Sequence, residues 1–209
     1  MQPYYSDSLV TLYHGDCREI LTALPKADLC LTDPPYGIGS WSATGGNSLK
    51  LSEIDAINRR DVAPDAETFR LVLAAAKYAI VWGGNYFGDV LGRTRAPLVW
   101  DKGIRGMHFA DGEMAWTNFD FGTLRIFTYS IAASEVKGNR AHPTQKPVAL
   151  LQWSILRVKD AALILDPFAG SGSTLRAAKN LNRRAIGIEI EERYCEVAAE
   201  RCRQEVLAL

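Results

Sequence analysis

Residues 161–174 read AALILDPFAGSGST. An apolar run, Ala161 to Leu165, ends in Asp166 and Pro167, and small residues follow up to Ser173 and Thr174. This is the pattern of a buried strand, a glycine-rich turn and a helix starting near Thr174. Gly170 and Gly172 allow positive φ and let backbone approach a ligand closely. A second apolar run, Ala185 to Ile188, ends in Glu189, 23 residues after Asp166. An acid at the tip of the next strand is well placed for ribose hydroxyls, as in nucleotide-binding βαβ units. The turn contains neither GxGxxG nor GKS/GKT, which disfavours a pyrophosphate cradle and a P-loop and leaves a nucleoside cofactor.

Upstream, Leu29 to Leu31 leads into Asp33, Pro34, Pro35 and Tyr36. An exocyclic amine on a base is a poor nucleophile because its lone pair is delocalised into the ring. A carboxylate at Asp33 and the Pro34 carbonyl can accept its two protons and free that lone pair, which is preorganised electrostatic assistance. Tyr36 can stack on the ring. The two prolines fix φ and bias Asp33 and Pro34 towards extended geometry, so the carbonyl direction is set in advance.

Taken together, Asp33 to Tyr36 and Asp166 to Thr174 resemble the motifs of DNA amino-methyltransferases, which methylate N6 of adenine or N4 of cytosine using S-adenosylmethionine. The order, catalytic motif before cofactor loop, is similar to the beta class. Further similar segments are Gly15 and Asp16 after Leu9 to His14, Trp82 to Phe87, Leu98 to Lys102, Glu113 to Thr117, and His142 to Pro147. The resemblance implies a catalytic group of Asp33, Pro34, Pro35 and Tyr36. It implies S-adenosylmethionine held by Asp16, Thr144, Lys146, Asp166, Phe168, Gly170, Ser171, Gly172, Thr174 and Glu189. Within it, Glu189 takes the ribose hydroxyls, Asp16 lies near the adenine amine, and Thr144 and Lys146 lie near the methionine end. A DPPY start is commoner in adenine enzymes of this family, so N6 of adenine is the leading target, with N4 of cytosine the alternative. A silent module that binds nucleic acid without chemistry is the other class, and such modules usually lose the catalytic acid or the cofactor loop. Both are intact here.

The expected fold is α/β: a doubly wound, circularly permuted Rossmann-like sheet, mostly parallel and mixed at one edge. The chain starts at the third strand, Leu9 to Asp16, continues to the catalytic strand, and finishes with the cofactor strand, the ribose strand and one helix. Asp16 and Asp33 are then expected at the carboxyl ends of neighbouring strands, where open sheets bind ligands. That last helix, Glu191 to about Val206, carries Cys195, Ala198, Ala199, Cys202 and Val206 on one face. Helices are also expected at Ala66 to Lys77 and Val148 to Val158, and strands at Tyr78 to Trp82, Leu98 to Trp100, Glu113 to Trp116 and Arg125 to Tyr129. Gly37 to Asn47, rich in Gly, Ser and Thr, reads as a mobile loop able to close over a flipped base.

With 209 residues and 47% hydrophobic content, residues 1–209 form one domain with one substantial core. No run reaches the roughly 18 apolar residues of a membrane helix and no secretory start is present, so a cytoplasmic protein away from membranes is expected. Cys17, Cys30, Cys195 and Cys202 lack CxxC spacing and read as reduced, buried thiols. Three separated histidines make a metal site improbable. Lys plus Arg equals Asp plus Glu at 24 each, which is unusual for a DNA partner. Two basic clusters stand against that objection: Arg93, Arg95, Lys102 and Arg105, and Lys137, Arg140, His142 and Lys146. Only about 24 residues, 118–141, remain for target recognition. Arg125, Lys137, Asn139 and Arg140 fall there, and a short or degenerate target held largely by phosphate contacts follows. A homodimer could supply more surface.

Overall fold

The computed structural model describes residues 1–39, 61–106, 110–130 and 145–204. Most of the Gly37 to Asn47 loop, Lys137, Asn139, Arg140, His142, Thr144 and Val206 lie outside them.

The strands in chain order are β1 (Tyr5–Ser6), β2 (Val10–His14), β3 (Ala27–Thr32), β4 (Ala76–Trp82), β5 (Leu98–Asp101), β6 (Gly112–Thr117), β7 (Arg125–Thr128), β8 (Leu163–Asp166) and β9 (Arg184–Glu189). The helices are α1 (Cys17–Ile20), α2 (Ala66–Ala74), α3 (Gly88–Leu91), α4 (Val148–Ile155), α5 (Ser173–Asn180) and α6 (Glu192–Arg203). Among the described residues, the nine strands make one sheet in the order β1-β2-β9-β8-β3-β4-β6-β5-β7. The block β2-β9-β8-β3-β4 is parallel throughout. Beyond β4 the sheet turns antiparallel through β6 and β5, with β7 parallel to β5. The far edge is also antiparallel, through the two-residue β1.

Strand β3 explains why its sequence is continuously apolar. Leu29 and Leu31 belong to a core shared with α4, α5 and α6, while Cys30, pointing the other way, joins a core with α1 and α2. Both faces are covered, so every position of a central parallel strand must be apolar. The four thiols are buried and unpaired. On α6, Cys195, Ala198, Ala199 and Cys202 are the buried residues, which is the expected face.

The permuted order holds, but one expected neighbour relation does not. Asp16 follows β2 and Asp33 follows β3, and β9 and β8 lie between these strands. The third and fourth strands of a doubly wound sheet are laid on opposite sides of the first, so they cannot be adjacent. The neighbours across the switch point are instead β8 and β3, paired at Cys30 and Leu165, which brings Asp166 and Asp33 to the same crevice.

Two helix ends also differ from the periodicity. The α2 helix stops at Ala74, because the Ala75 carbonyl accepts the Ala27 N–H and Ala76 pairs with Ala27 in the sheet. Sheet pairing thus overrides a helical pattern that would have run to Lys77. Helix α4 stops at Ile155, followed by tight turns to Val158.

Helices α5 and α6 meet at Gly172, where a Cβ would lie 2.7 Å from the Ala198 Cβ and 3.0 Å from its Cα. Gly172 also has φ +77°. Gly172→Ala is therefore expected to cost about 2–3 kcal/mol of stability from contact and backbone strain together, read from urea unfolding.

Candidate active site

The carboxyl ends of β3, β4 and β8 and the start of β6 converge on one cleft. Antiparallel β6 is what brings its first residues there: Ala115 pairs with Trp82 at the end of β4, so Glu113 lies beyond that end. Asp33 leaves β3 into the cleft. Its Oδ1 accepts the Tyr36 hydroxyl at 2.6 Å, and its Oδ2 lies 2.5 Å from the Lys146 ammonium. Lys146 also reaches Glu113 Oε2 at 3.1 Å and donates to the Tyr36 hydroxyl oxygen at 3.1 Å. The other Glu113 oxygen pairs with Lys102 at 2.7 Å. Two carboxylates and two ammonium groups thus alternate as Asp33, Lys146, Glu113, Lys102.

The environment acts on each group. Burial lifts the Asp33 carboxyl above its ordinary value, with Lys146 pulling against that rise. Burial opposes the Glu113 charge too, but Lys146 and Lys102 prevail and bring it down to about 2. Burial works against the Lys146 charge, and Asp33, Tyr36 and Glu113 overcome it, so its pKa is well above the lysine range. Glu113 and Lys102 escaped the motif reading as site residues. Lys102 and Lys146, read as members of surface basic clusters, are buried in this array and are not free to meet phosphates. Arg105 is paired with Asp101 at 2.9 Å.

Tyr36 is placed differently from a free stacking platform. Its ring stacks on Tyr86 with centroids 4.8 Å apart, and meets Phe87 edge-on. Gly83, at φ +71°, lets the ring lie against the backbone, since a Cβ there would come within 2.1 Å of it. The chain after Tyr36 is held by Asp61. Its Oδ1 accepts the Tyr36 and Gly37 N–H groups and its Oδ2 those of Ile38 and Gly39, all at 2.8–2.9 Å. Residues 37–39 are therefore pinned rather than a free start to the loop.

The glycine-rich turn after β8 has its own bracing. Asp166 is 3% exposed and accepts the Thr32 hydroxyl at 2.7 Å and the Phe168 N–H at 3.1 Å. Thr174 also bonds to it, and burial raises it to about 6. Glu189 takes the Gly170 N–H on Oε2 and the Glu191 N–H on Oε1, so it ties the turn to the next strand. Each oxygen keeps a further lone pair for a hydroxyl donor. Arg201 of α6 clamps the turn through the Ser171 carbonyl at 2.8 Å and the Ser171 and Ser173 hydroxyls at 3.1 Å. Gly170 has φ +51°, and a Cβ there would meet nothing within 4 Å. The turn therefore presents bare backbone to an open approach, which fits a bound nucleoside. Phe168 is half-buried beside it. Asp16, at the end of β2, caps α1 through the Arg18 N–H and pairs with the Arg18 side chain. Among the described residues, no cluster of His, Cys, Asp and Glu could hold a metal ion, and no helix is long and apolar enough to cross a membrane.

A carboxyl raised by burial stabilises the fold below its unfolded pKa and loses that contribution as pH rises through its folded value. For Asp166 the window runs from about 4 to about 6. Asp166→Asn removes the titration, so between pH 4 and 7 the variant should gain about 2–3 kcal/mol relative to wild type in urea unfolding.

The sequence model of the DNA methylase family of N6 and N4 methyltransferases matches residues 75–200. Among curated proteins, the type II methyltransferase M2.LlaDCHI of Lactococcus lactis subsp. cremoris is 43% identical, covering 96% of this chain and 91% of that protein. The putative methylase YubD of Escherichia coli K12 is 30% identical, with coverage of 90% and 87%. Among solved structures, a complex of M1.HpyAVI with SAM superposes with a TM-score of 0.59 at 23% identity, covering 94% of this chain and all of that one. The cytosine-N4-specific PvuII DNA methyltransferase reaches 0.67 at 19% identity, covering 99% and 91%. With a family model over more than half its length and a relative sharing over two-fifths of its residues, the chain belongs to the N6/N4 DNA methylase family.

Proposed function

We propose that the protein transfers a methyl group from S-adenosylmethionine to N6 of adenine in DNA, acting on a base turned out of the duplex into the cleft beside Asp33 and Tyr36. The observation that carries this reading is the juxtaposition at the switch point: the Asp33 carboxylate and the glycine turn after β8 open onto one crevice. When bound at that turn, S-adenosylmethionine supplies an electrophilic methyl group. The bare Gly170 backbone and Glu189 suit its nucleoside portion. The chain's own part is to hold the amine. Asp33 and the Pro34 carbonyl draw its protons, so the lone pair develops towards the methyl group, and the exposed Tyr86 ring, stacked on Tyr36, offers the aromatic surface against which a planar base is held. The preference for adenine rests on aspartate at position 33.

Recognition of sequence has little material. Part of the 118–141 segment is committed to the scaffold: Asn118 bonds the Ala79 N–H and the Lys77 carbonyl, Phe119 is buried, and β7 extends the sheet. Of the candidate contacts, Arg125 is exposed on β7. A short or degenerate site follows, with affinity that falls with salt. Single-molecule sequencing of plasmid methylated by the protein tests this, and a strict six-base site methylated by monomer would refute it.

Asp33→Ala should lower methyl transfer on the order of a thousandfold or more while cofactor affinity stays within a few-fold, because the carboxylate acts on the reacting amine. Gly170→Val should weaken cofactor binding strongly in calorimetry, since its side chain enters the approach to the turn. Mass spectrometry of nucleosides from treated DNA identifies the base: N6-methyladenine supports the reading, and N4-methylcytosine moves the assignment to the family's other target.

A further inference from the structure

Asp33 has two oxygens, and both are taken: Oδ1 by the Tyr36 hydroxyl and Oδ2 by the Lys146 ammonium. If Asp33 accepts an amine proton, as in the function proposed above, Lys146 has to give way. The lysine is 5% exposed. An ammonium released into such surroundings with no second partner would be a buried, uncompensated charge, which proteins tolerate poorly. Yet a second partner stands ready. Glu113 Oε2 is 3.1 Å from the same nitrogen, within a small change of the lysine torsions. The opposite oxygen of Glu113 is anchored to Lys102 at 2.7 Å, and Lys102 lies 5.2 Å from the Trp100 ring centroid, so the glutamate is braced from the side away from Asp33.

We propose that Glu113, braced by Lys102, is a positioning residue that receives the Lys146 ammonium when the substrate amine takes its place on Asp33. Lys146 in the resting enzyme stands in for the amine: it is a nitrogen donor on the oxygen the base requires. The exchange moves no proton and breaks no covalent bond; one ion pair shortens as the other lengthens, and the array of two cations and two anions keeps its net charge. Glu113 is suited to this because the paired lysines keep it ionised. A neutral side chain of the same shape could accept a hydrogen bond but would leave the cation uncompensated.

The test is a double-mutant cycle on single-turnover methyl transfer at saturating DNA and cofactor, using Glu113→Gln, Lys146→Met and the pair. Glu113→Gln should slow methyl transfer at least tenfold, with calorimetric affinity for S-adenosylmethionine within about twofold and with the variant still fully folded at the assay temperature. In the Lys146→Met background the same substitution should change the rate by less than about twofold, because no cation remains to be received. Lys102→Met should follow Glu113→Gln in direction with a smaller loss. An equal loss from Glu113→Gln in both backgrounds, or no loss in either, overturns the inference while leaving an active wild type and its function in place. A wild type that methylates no base overturns the function and this inference together.

Discussion

A cation held between two carboxylates at the end of a parallel sheet is the constraint around which this site is arranged. Burial works against the charges of Asp33, Glu113 and Lys146, and Glu113 and Lys146 hold theirs through the opposite charges beside them. The requirement reaches into the fold. Glu113 can stand beside Lys146 only because β6 runs against β4 and begins where the parallel strands end. Lys102 can brace it only because β5 returns alongside β6. The antiparallel extension thus completes the ion-pair array and is more than an edge to the parallel sheet.

The second organising element is the turn after β8, which is built from within and left open on one side. Thr32, Thr174 and the Phe168 N–H converge on Asp166 underneath, Glu189 holds the Gly170 N–H from the next strand, and Arg201 reaches from α6 to Ser171 and Ser173. With so many anchors, glycine's conformational freedom is spent on one defined shape. The backbone offered at Gly170 is therefore preorganised, which is how a small loop can select a ligand without side chains of its own.

The strands flanking the crevice were legible in the sequence because β3 and β8 are covered on both faces, and a doubly covered strand leaves an apolar run that ends abruptly at an acid beside the crevice. Asp33, Asp166 and Glu189 are legible for that reason. Adjacency was not. Nothing local in Leu9 to Asp16 says that two later strands come between it and β3, and so the pairing of Asp16 with Asp33 failed. Glu113 and Lys102 were missed as site residues because isolated charges in short strands look like solvent-facing positions until the antiparallel register turns them inward. Asp61 was invisible for a related cause: it bonds to backbone N–H groups, which have no sequence signature, and Arg201 reaches its partners from a helix some thirty residues away. Lys146 was expected near the methionine end of the cofactor, and its partnership with Asp33 was not legible, because it joins side chains 113 residues apart.

The position of β8 and β9 between β2 and β3 carries a consequence for how the chain reaches this state. As the polypeptide leaves the ribosome, β2 and β3 emerge early, yet β2 lacks its parallel partner β9 and β3 has β4 but lacks β8, because β8 and β9 come from the last quarter of the chain. The middle of the sheet is filled last. Until then β3 and β4 expose an unpaired edge, and β2 can hold only to its short antiparallel neighbour β1. Long-range parallel pairing of this kind closes slowly and leaves sticky edges open meanwhile. The same insertion that completes the sheet lays the Asp33 and Asp166 strands side by side. Assembly of the cleft and closure of the fold are therefore one event, and a nascent or truncated chain lacking β8 and β9 has no half-formed site with which to touch DNA.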